Sequence, residues 1–274
     1  MSVTAETPPV PQGAGPVIVP VERRSLLRRE VLIVLGLSLG AAAVYAVLQI
    51  IDRLTKQLAL SQQTSSLNNS VTPDRPYLDL AYQLTGYAVA LVPVAATMYL
   101  LRRVEPPAPS SPSRFLGIDW RRPGFDAVGG VALAAAIGIP GLGLYVVARA
   151  IGINTQVAAA NLGGAWWTIP VLVLSAIQNA VLEEVIVVGY LVTRLRQVGW
   201  ALPAIVVGSA LLRGTYHLYQ GFGAFVGNAV MGVVFVLVFL RWRRVGPLVV
   251  AHSILDIVAF IGYTLAKDHL SWLQ

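Results

Sequence analysis

Long apolar runs, broken by short segments that carry most of the arginines, fill the chain from about residue 31 to residue 266. A bilayer core about 30 Å thick takes roughly 20 apolar residues per helical crossing. Runs of that order recur at about 31–51, 77–101, 125–150, 167–192, 201–219, 222–240 and 246–266. The pattern predicts an all-α protein, a polytopic membrane helix bundle of about seven transmembrane helices. No internal repeat is visible along it.

The positive charges give the predicted bundle a direction. With the N-terminus in the cytoplasm, Arg23, Arg24, Arg28, Arg29, Arg102, Arg103, Arg114, Arg121, Arg122, Arg194, Arg196, Arg241, Arg243 and Arg244 all fall on the inner side. The outer segments hold Arg53, Lys56, Arg75, Arg149 and Lys267. That is the asymmetry of the positive-inside rule, and a missed span would scramble it. The expectation is an integral protein of a bacterial cytoplasmic membrane.

Composition agrees with this class. Of 274 residues, 56% are hydrophobic and 12% charged, with a mean hydropathy of +0.69. A net charge of +7 is the ordinary flanking signal of membrane spans, so nucleic acid is set aside as a partner. The chain has no cysteine, which excludes disulfides, thiol nucleophiles and cysteine-ligated metal. Residues 1–22 are proline-rich and lack the basic start and apolar core of a signal peptide. The expected organisation is a disordered cytoplasmic tail at 1–30, two helices at 31–104, a Pro/Ser-rich basic linker at 105–124 and a catalytic bundle at 125–274. The linker suggests that the first two spans are less integrated than the rest.

Charged groups within the apolar runs then demand a reason, because each costs about 2.5–3.5 kcal/mol at the bilayer centre. Glu183 and Glu184 sit in the fourth run, Arg213 and His217 in the fifth, Asn228 in the sixth, and His252 and Asp256 in the seventh. On a helical wheel Glu183 shares one stripe with Ser175, Asn179, Tyr190 and Arg194, and Glu184 flanks it by about 100°. Ser209, Arg213 and His217 recur every four residues, as do His252 and Asp256. Such seams hold membrane bundles together through hydrogen bonds and ion pairs. Adjacent glutamates with two histidines on other helices are also the chemistry of water activation, in which a shielded carboxylate takes a proton and a histidine shares the water or meets the developing charge.

The stretches "EEVIVVGYL", "RGTYHLYQG" and "AHSILD" resemble the three motifs of the CPBP intramembrane proteases, the Abi or CAAX-protease family. Those motifs are Glu-Glu with Arg four positions later, Phe with His four later, and His with Asn or Asp four later. The resemblance implies an intramembrane endopeptidase acting on a membrane-associated, CAAX-like peptide or protein within the lipid bilayer. It implies Glu183 as the base that activates water with His217, His252 and Asp256 at the carbonyl or oxyanion, and Glu184 as an accessory carboxylate. Arg213, Asn179, Tyr190 and Asn228 are the expected supporting residues.

Two positions depart from the motifs. Val188 stands where the arginine is expected, and Arg213 where the phenylalanine is expected. One reading is that the cation has crossed to the neighbouring helix; another is that catalysis has been lost and a membrane scaffold or assembly factor remains. A proton-coupled transporter is a third reading, weakened by the lack of inverted repeats. No cofactor is expected beyond activated water, with a divalent metal such as zinc as the minority alternative, since no His-Glu-x-x-His helix is present. Straight helices would leave Glu183 and His217 roughly 10–15 Å apart in depth, so the glycine-rich hairpin after Arg213 is expected to be short or bent and to start deeper in the bundle.

Overall fold

The computed structural model describes residues 18–104 and 106–266. Residues 1–17 of the expected tail, Glu105 of the linker, and the end of the chain from Lys267 onward lie outside the described residues. The bundle opens with α1 (Val21–Gly36) and α2 (Leu39–Thr55), bent by 54° at their junction. A short strand β1 (Thr64–Ser66) precedes α3 (Pro76–Ala90) and α4 (Val92–Arg103), which together make one apolar span. A short helix α5 (Pro112–Phe115) leads to α6 (Pro123–Ala150) and then to strand β2 (Gln156–Ala158). Next come α7 (Thr168–Glu183), a π-helical segment over Glu184–Tyr190, and α8 (Leu191–Val198), continuous as the span Thr168–Val198. The chain closes with α9 (Leu202–Tyr216), α10 (Phe222–Trp242) and α11 (Gly246–Ala266).

Among the described residues five helices are long and apolar enough to cross a membrane, or six if the bent α1–α2 pair is one span. The bent pair and the shorter apolar helix α9 account for the other two of the seven expected runs. The expected fifth run, 201–219, is the 15-residue α9, about 22 Å long and short of a 30 Å core. It stops because the chain turns at His217 into a 3-10 turn over Leu218–Gln220 and then reverses at Gly221, whose φ of 116° suits glycine. The expected short hairpin is therefore what the chain forms.

Burial identifies the axis of the bundle. In the span Thr168–Val198, 67% of the apolar window is buried, against 11–33% in the other four. The outer helices turn large apolar side chains such as Leu48, Val128, Val146 and Val230 outward, where lipid takes the place of a core. The protein is an integral membrane protein built around one central helix.

The N-terminal third contributes residues to the core. Val31, Val34, Leu39 and Leu101 share one apolar core with Val185–Val188, Phe235 and Leu248. The tail expected to run to residue 30 is helical from Val21, because Leu27 is fully buried with Val19 and Val198 and the Val19 amide donates to Gln197 O at 3.0 Å. The linker is pinned as well, since "RFLGI" at 114–118 interrupts its polar composition with an apolar patch. Leu116 is wholly buried and its carbonyl accepts from the Val245 amide at 2.8 Å.

Each end of the bundle has its own clasp. At the arginine-rich end the Arg244 guanidinium donates to Asp119 at 2.9 Å and to Asp126 at 2.6 Å. Burial alone would raise the Asp119 carboxyl, and the Arg244 hydrogen bond overrides it and holds it below the ordinary carboxylate range. At the other end β1 and β2 pair in parallel, Thr64 opposite Gln156 and Ser66 opposite Ala158. The Ser65 and Thr155 hydroxyls meet at 2.8 Å, the Thr155 amide donates to Gln220 O at 2.9 Å, and Asn154 Oδ1 accepts from the Ala224 amide at the start of α10. These buried polar contacts fix the turn that follows His217.

Candidate active site

Three helices bring the charged groups together. The last residue of α7 is Glu183, and Glu184 begins the π-helical segment. The run Val185–Val188 is β-branched throughout, crowded at α-helical spacing, and π-turns of this kind occur often at functional sites. The segment is tied to α9 by Ser209, whose hydroxyl donates to Val187 O at 3.2 Å. α9 and α10 cross closely enough that a β-carbon on Gly214 would lie 2.8 Å from Phe225 O. Their hairpin sets Arg213, Tyr216 and His217 against the glutamates, and α11 supplies His252 and Asp256.

Two carboxylate oxygens organise the cluster. Glu184 Oε1 accepts from Arg213 Nη2 at 2.5 Å and lies 2.7 Å from His252 Nδ1. Glu183 Oε2 accepts from the Tyr216 hydroxyl at 2.7 Å. Around that same oxygen stand Arg213 Nη1 at 3.7 Å, His217 Nε2 at 3.8 Å and His252 Nε2 at 4.0 Å. Asp256 Oδ1 lies 3.7 Å from His252 Nε2, with the Asn179 side chain near its carboxylate. Glu184 and Arg213 are fully buried and Glu183 is 8% exposed. The carboxylates are thus not bare charges in oil, since a guanidinium pairs with them and an imidazole lies within hydrogen-bond distance of Glu184.

Glu184 Oε2, Arg213 Nε and Nη1, and both ring nitrogens of His217 are buried with no hydrogen-bond partner among the described residues. Buried polar atoms normally find partners, and two of these, Arg213 Nη1 and His217 Nε2, lie 3.7 and 3.8 Å from Glu183 Oε2. Separations of 3.7–4.0 Å exceed a direct hydrogen bond and suit a small polar molecule shared between groups.

The structure brings together Glu183, Glu184, Arg213, His217, His252 and Asp256, with Asn179 alongside. It does not bring Tyr190 there. The Tyr190 hydroxyl donates to Glu30 Oε1 on α1 at 2.7 Å, and Arg194 joins the same oxygen at 2.8 Å. The expected stripe fails beyond Glu184 for two reasons. The π-helical segment places extra residues per turn, and seven residues already carry Tyr190 about 10 Å along the axis. Ser175, also on that stripe, donates to Asn68 at 2.6 Å, and the Asn228 amide donates to Ala224 O on its own helix at 3.0 Å. Sequence reading missed Tyr216. Its signal was its place directly before His217, since a buried tyrosine hydroxyl needs a partner. Val188 is fully buried in the apolar core, while the guanidinium of Arg213 reaches both glutamates.

Glu183, Glu184 and His252 present potential ligand atoms within 4.8 Å of one another, a spacing at which three donors could share a cation. It fits poorly. Glu184 Oε1 already serves Arg213 and His252, and a dication would be pressed against a guanidinium 2.5 and 3.7 Å from the same carboxylates. Such repulsion amounts to roughly 4 kcal/mol per pair of unit charges at about 4 Å.

The family model Type II CAAX prenyl endopeptidase Rce1-like matches residues 165–258. That segment contains every member of the cluster just described. Neither a curated protein nor a solved structure gives a match.

Proposed function

Taking residues 165–258 as a domain of the type II CAAX prenyl endopeptidase Rce1-like family, we propose that the protein hydrolyses a peptide bond of a membrane-associated substrate with water activated by Glu183 and His217. The observation that supports this most is the position of Glu183 Oε2. It stands 3.8 Å from His217 Nε2 and 4.0 Å from His252 Nε2, in a buried site where several polar atoms have no protein partner.

In the proposed reaction a water between Glu183 and His217 gives its proton to the Glu183 carboxylate, and its oxygen attacks the peptide carbonyl carbon. The carbonyl oxygen becomes an oxyanion and is met by His252, which Asp256 and Glu184 hold in place. Protonated Glu183 returns the proton to the amide nitrogen as the C–N bond breaks, leaving a carboxylic acid and an amine. Tyr216 aims the base through its hydrogen bond, and Arg213 pairs with both carboxylates while contributing no atom to the reaction. In this reading Arg213 supplies the charge that Val188 does not. No step needs a metal ion.

The test is cleavage of a membrane-peptide and CAAX-like reporter library by purified protein, wild type beside Glu183→Gln, with and without a chelator. Turnover that requires Glu183 and ignores the chelator is expected. Chelator sensitivity would move the chemistry to a metal. Silence from a well-folded sample across the library would favour the second reading, an inert membrane scaffold, which the burial of Val188 in the apolar core favours.

A further inference from the structure

A cleft of about 410 Å³ lies beside the cluster, between α2 and the turn that joins α9 to α10. One wall is a single helical face of α2, with Ala42, Ala46, Gln49 and Arg53 at steps of three, four and seven. Tyr45 of α2, Ser66, Tyr216 and Tyr219 complete the lining. Tyr216 joins the cleft to the chemistry, because its hydroxyl donates to Glu183 Oε2 at 2.7 Å. The volume is that of a pocket able to hold a few residues of extended chain, and its lining grades from alanine to glutamine and arginine toward the C-terminal end of α2.

That end of α2 is not the arginine-rich end of the bundle. It belongs with the β1–β2 pair: Arg53 Nη1 donates to Thr64 O at 3.2 Å and the Ser65 hydroxyl to Tyr219 O at 3.1 Å. The opposite end holds the start of α1, the segment after α4, the end of α8 and the turn before α11, joined by Arg194 to Pro106 O, Val19 to Gln197 O and Val245 to Leu116 O. Most arginines sit there, whereas the cleft end carries Arg53, Lys56, Arg75 and Arg149 among the described residues. Arginine and lysine bias of this size sets the cytoplasmic side of a membrane protein.

We infer that the site is served from the non-cytoplasmic face, its substrate being the juxtamembrane segment of an exported or membrane-anchored protein that enters between α2 and the α9–α10 turn. This rests on the hydrolase reading above for the word substrate, and on the position of the cleft for the side. The grading of the lining matches such a segment, whose apolar part lies deeper and whose polar part lies near the membrane surface.

The chain has no cysteine, so single-cysteine variants of the full protein report sidedness cleanly. Gln49→Cys sits in the cleft wall, and Arg121→Cys, at an exposed position, marks the arginine-rich end. In intact cells a membrane-impermeant maleimide is expected to label Gln49→Cys fully and Arg121→Cys only after permeabilisation. The reverse pattern would overturn the inference without any reference to turnover. Cleavage is then read with a single-span reporter whose scissile segment lies on one side or the other. Loss of outer-side cleavage on external labelling of Gln49→Cys is expected, and cleavage of the inner-side reporter alone would overturn the proposal. Correct labelling with no cleavage of either reporter would sink the hydrolase reading and leave the sidedness standing.

Discussion

Arg194 and Arg213 are both fully buried on neighbouring helices, yet their guanidinium groups are used in opposite ways. Arg194 donates from Nε to Glu30, from Nη1 to Gln197 and Pro106 O, and from Nη2 to Leu100 O, at 2.8–3.2 Å. It staples α1, the end of α4 and the linker to the central helix. Arg213 makes a single short bond, to Glu184, while its Nε and Nη1 have no hydrogen-bond partner among the described residues. A saturated buried cation is a structural device, and desolvation makes anything less costly. An undersaturated cation beside two carboxylates and two imidazoles is what the proposed hydrolase reading uses.

The comparison can be broken by variants on either side. The largest effect is expected from Glu183→Gln, which keeps the shape of the side chain and removes the base. Turnover should fall by about 10²–10⁴, the usual contribution of general base catalysis, with thermal stability close to wild type. Arg194→Ala should do the reverse. It leaves Glu30 as an unpaired buried charge and costs about 3–5 kcal/mol of stability, while turnover per folded molecule stays near wild type.

Arg213→Phe tests the relocated cation. It leaves two buried glutamates with only histidines to balance them, and turnover should fall by about a hundredfold, the rate equivalent of about 3 kcal/mol. Adding Val188→Arg should recover part of that loss, and equal losses in the single and double variants would show that the cation cannot be exchanged between these positions. The smallest expected effect is that of Tyr216→Phe. One hydrogen bond to a charged group is worth about 1.5–3 kcal/mol, so a loss of about tenfold in kcat with an unchanged melting temperature is expected. A drop in stability alone would move Tyr216 to the structural side.

Much of this arrangement could be read from residue spacing. His217 and His252 each fall one helical turn from a second cluster member, Arg213 and Asp256, and the two glutamates are adjacent, so a polar seam on each of three helices followed from periodicity. The short α9 was legible too, because Gly214 and Gly221 punctuate a run that had to bring His217 to the depth of Glu183. Tyr190 was misplaced because periodicity gives an angle around a helix and takes no account of distance along it. The π-helical segment then altered the angle as well. The docking of α1 was hidden by composition: the arginines and the polar, proline-rich linker look solvated, and only the tertiary partners of Leu27, Glu30 and Leu116 make those segments part of the core. Tyr216 was overlooked because tyrosines are common near membrane surfaces, and its hydroxyl acquires meaning only once Glu183 is placed opposite.

The central claim is that one buried polar cluster reacts and the other only holds the bundle together. Its most direct test is to measure turnover and melting temperature side by side for Glu183→Gln and Glu30→Gln, purified in the same detergent. The account predicts that Glu183→Gln abolishes cleavage with little change in melting temperature, and that Glu30→Gln lowers the melting temperature with cleavage retained by the folded fraction. If instead both variants shift only the melting temperature and leave cleavage intact, the Glu183 cluster is another structural staple and the assignment of the active site is wrong.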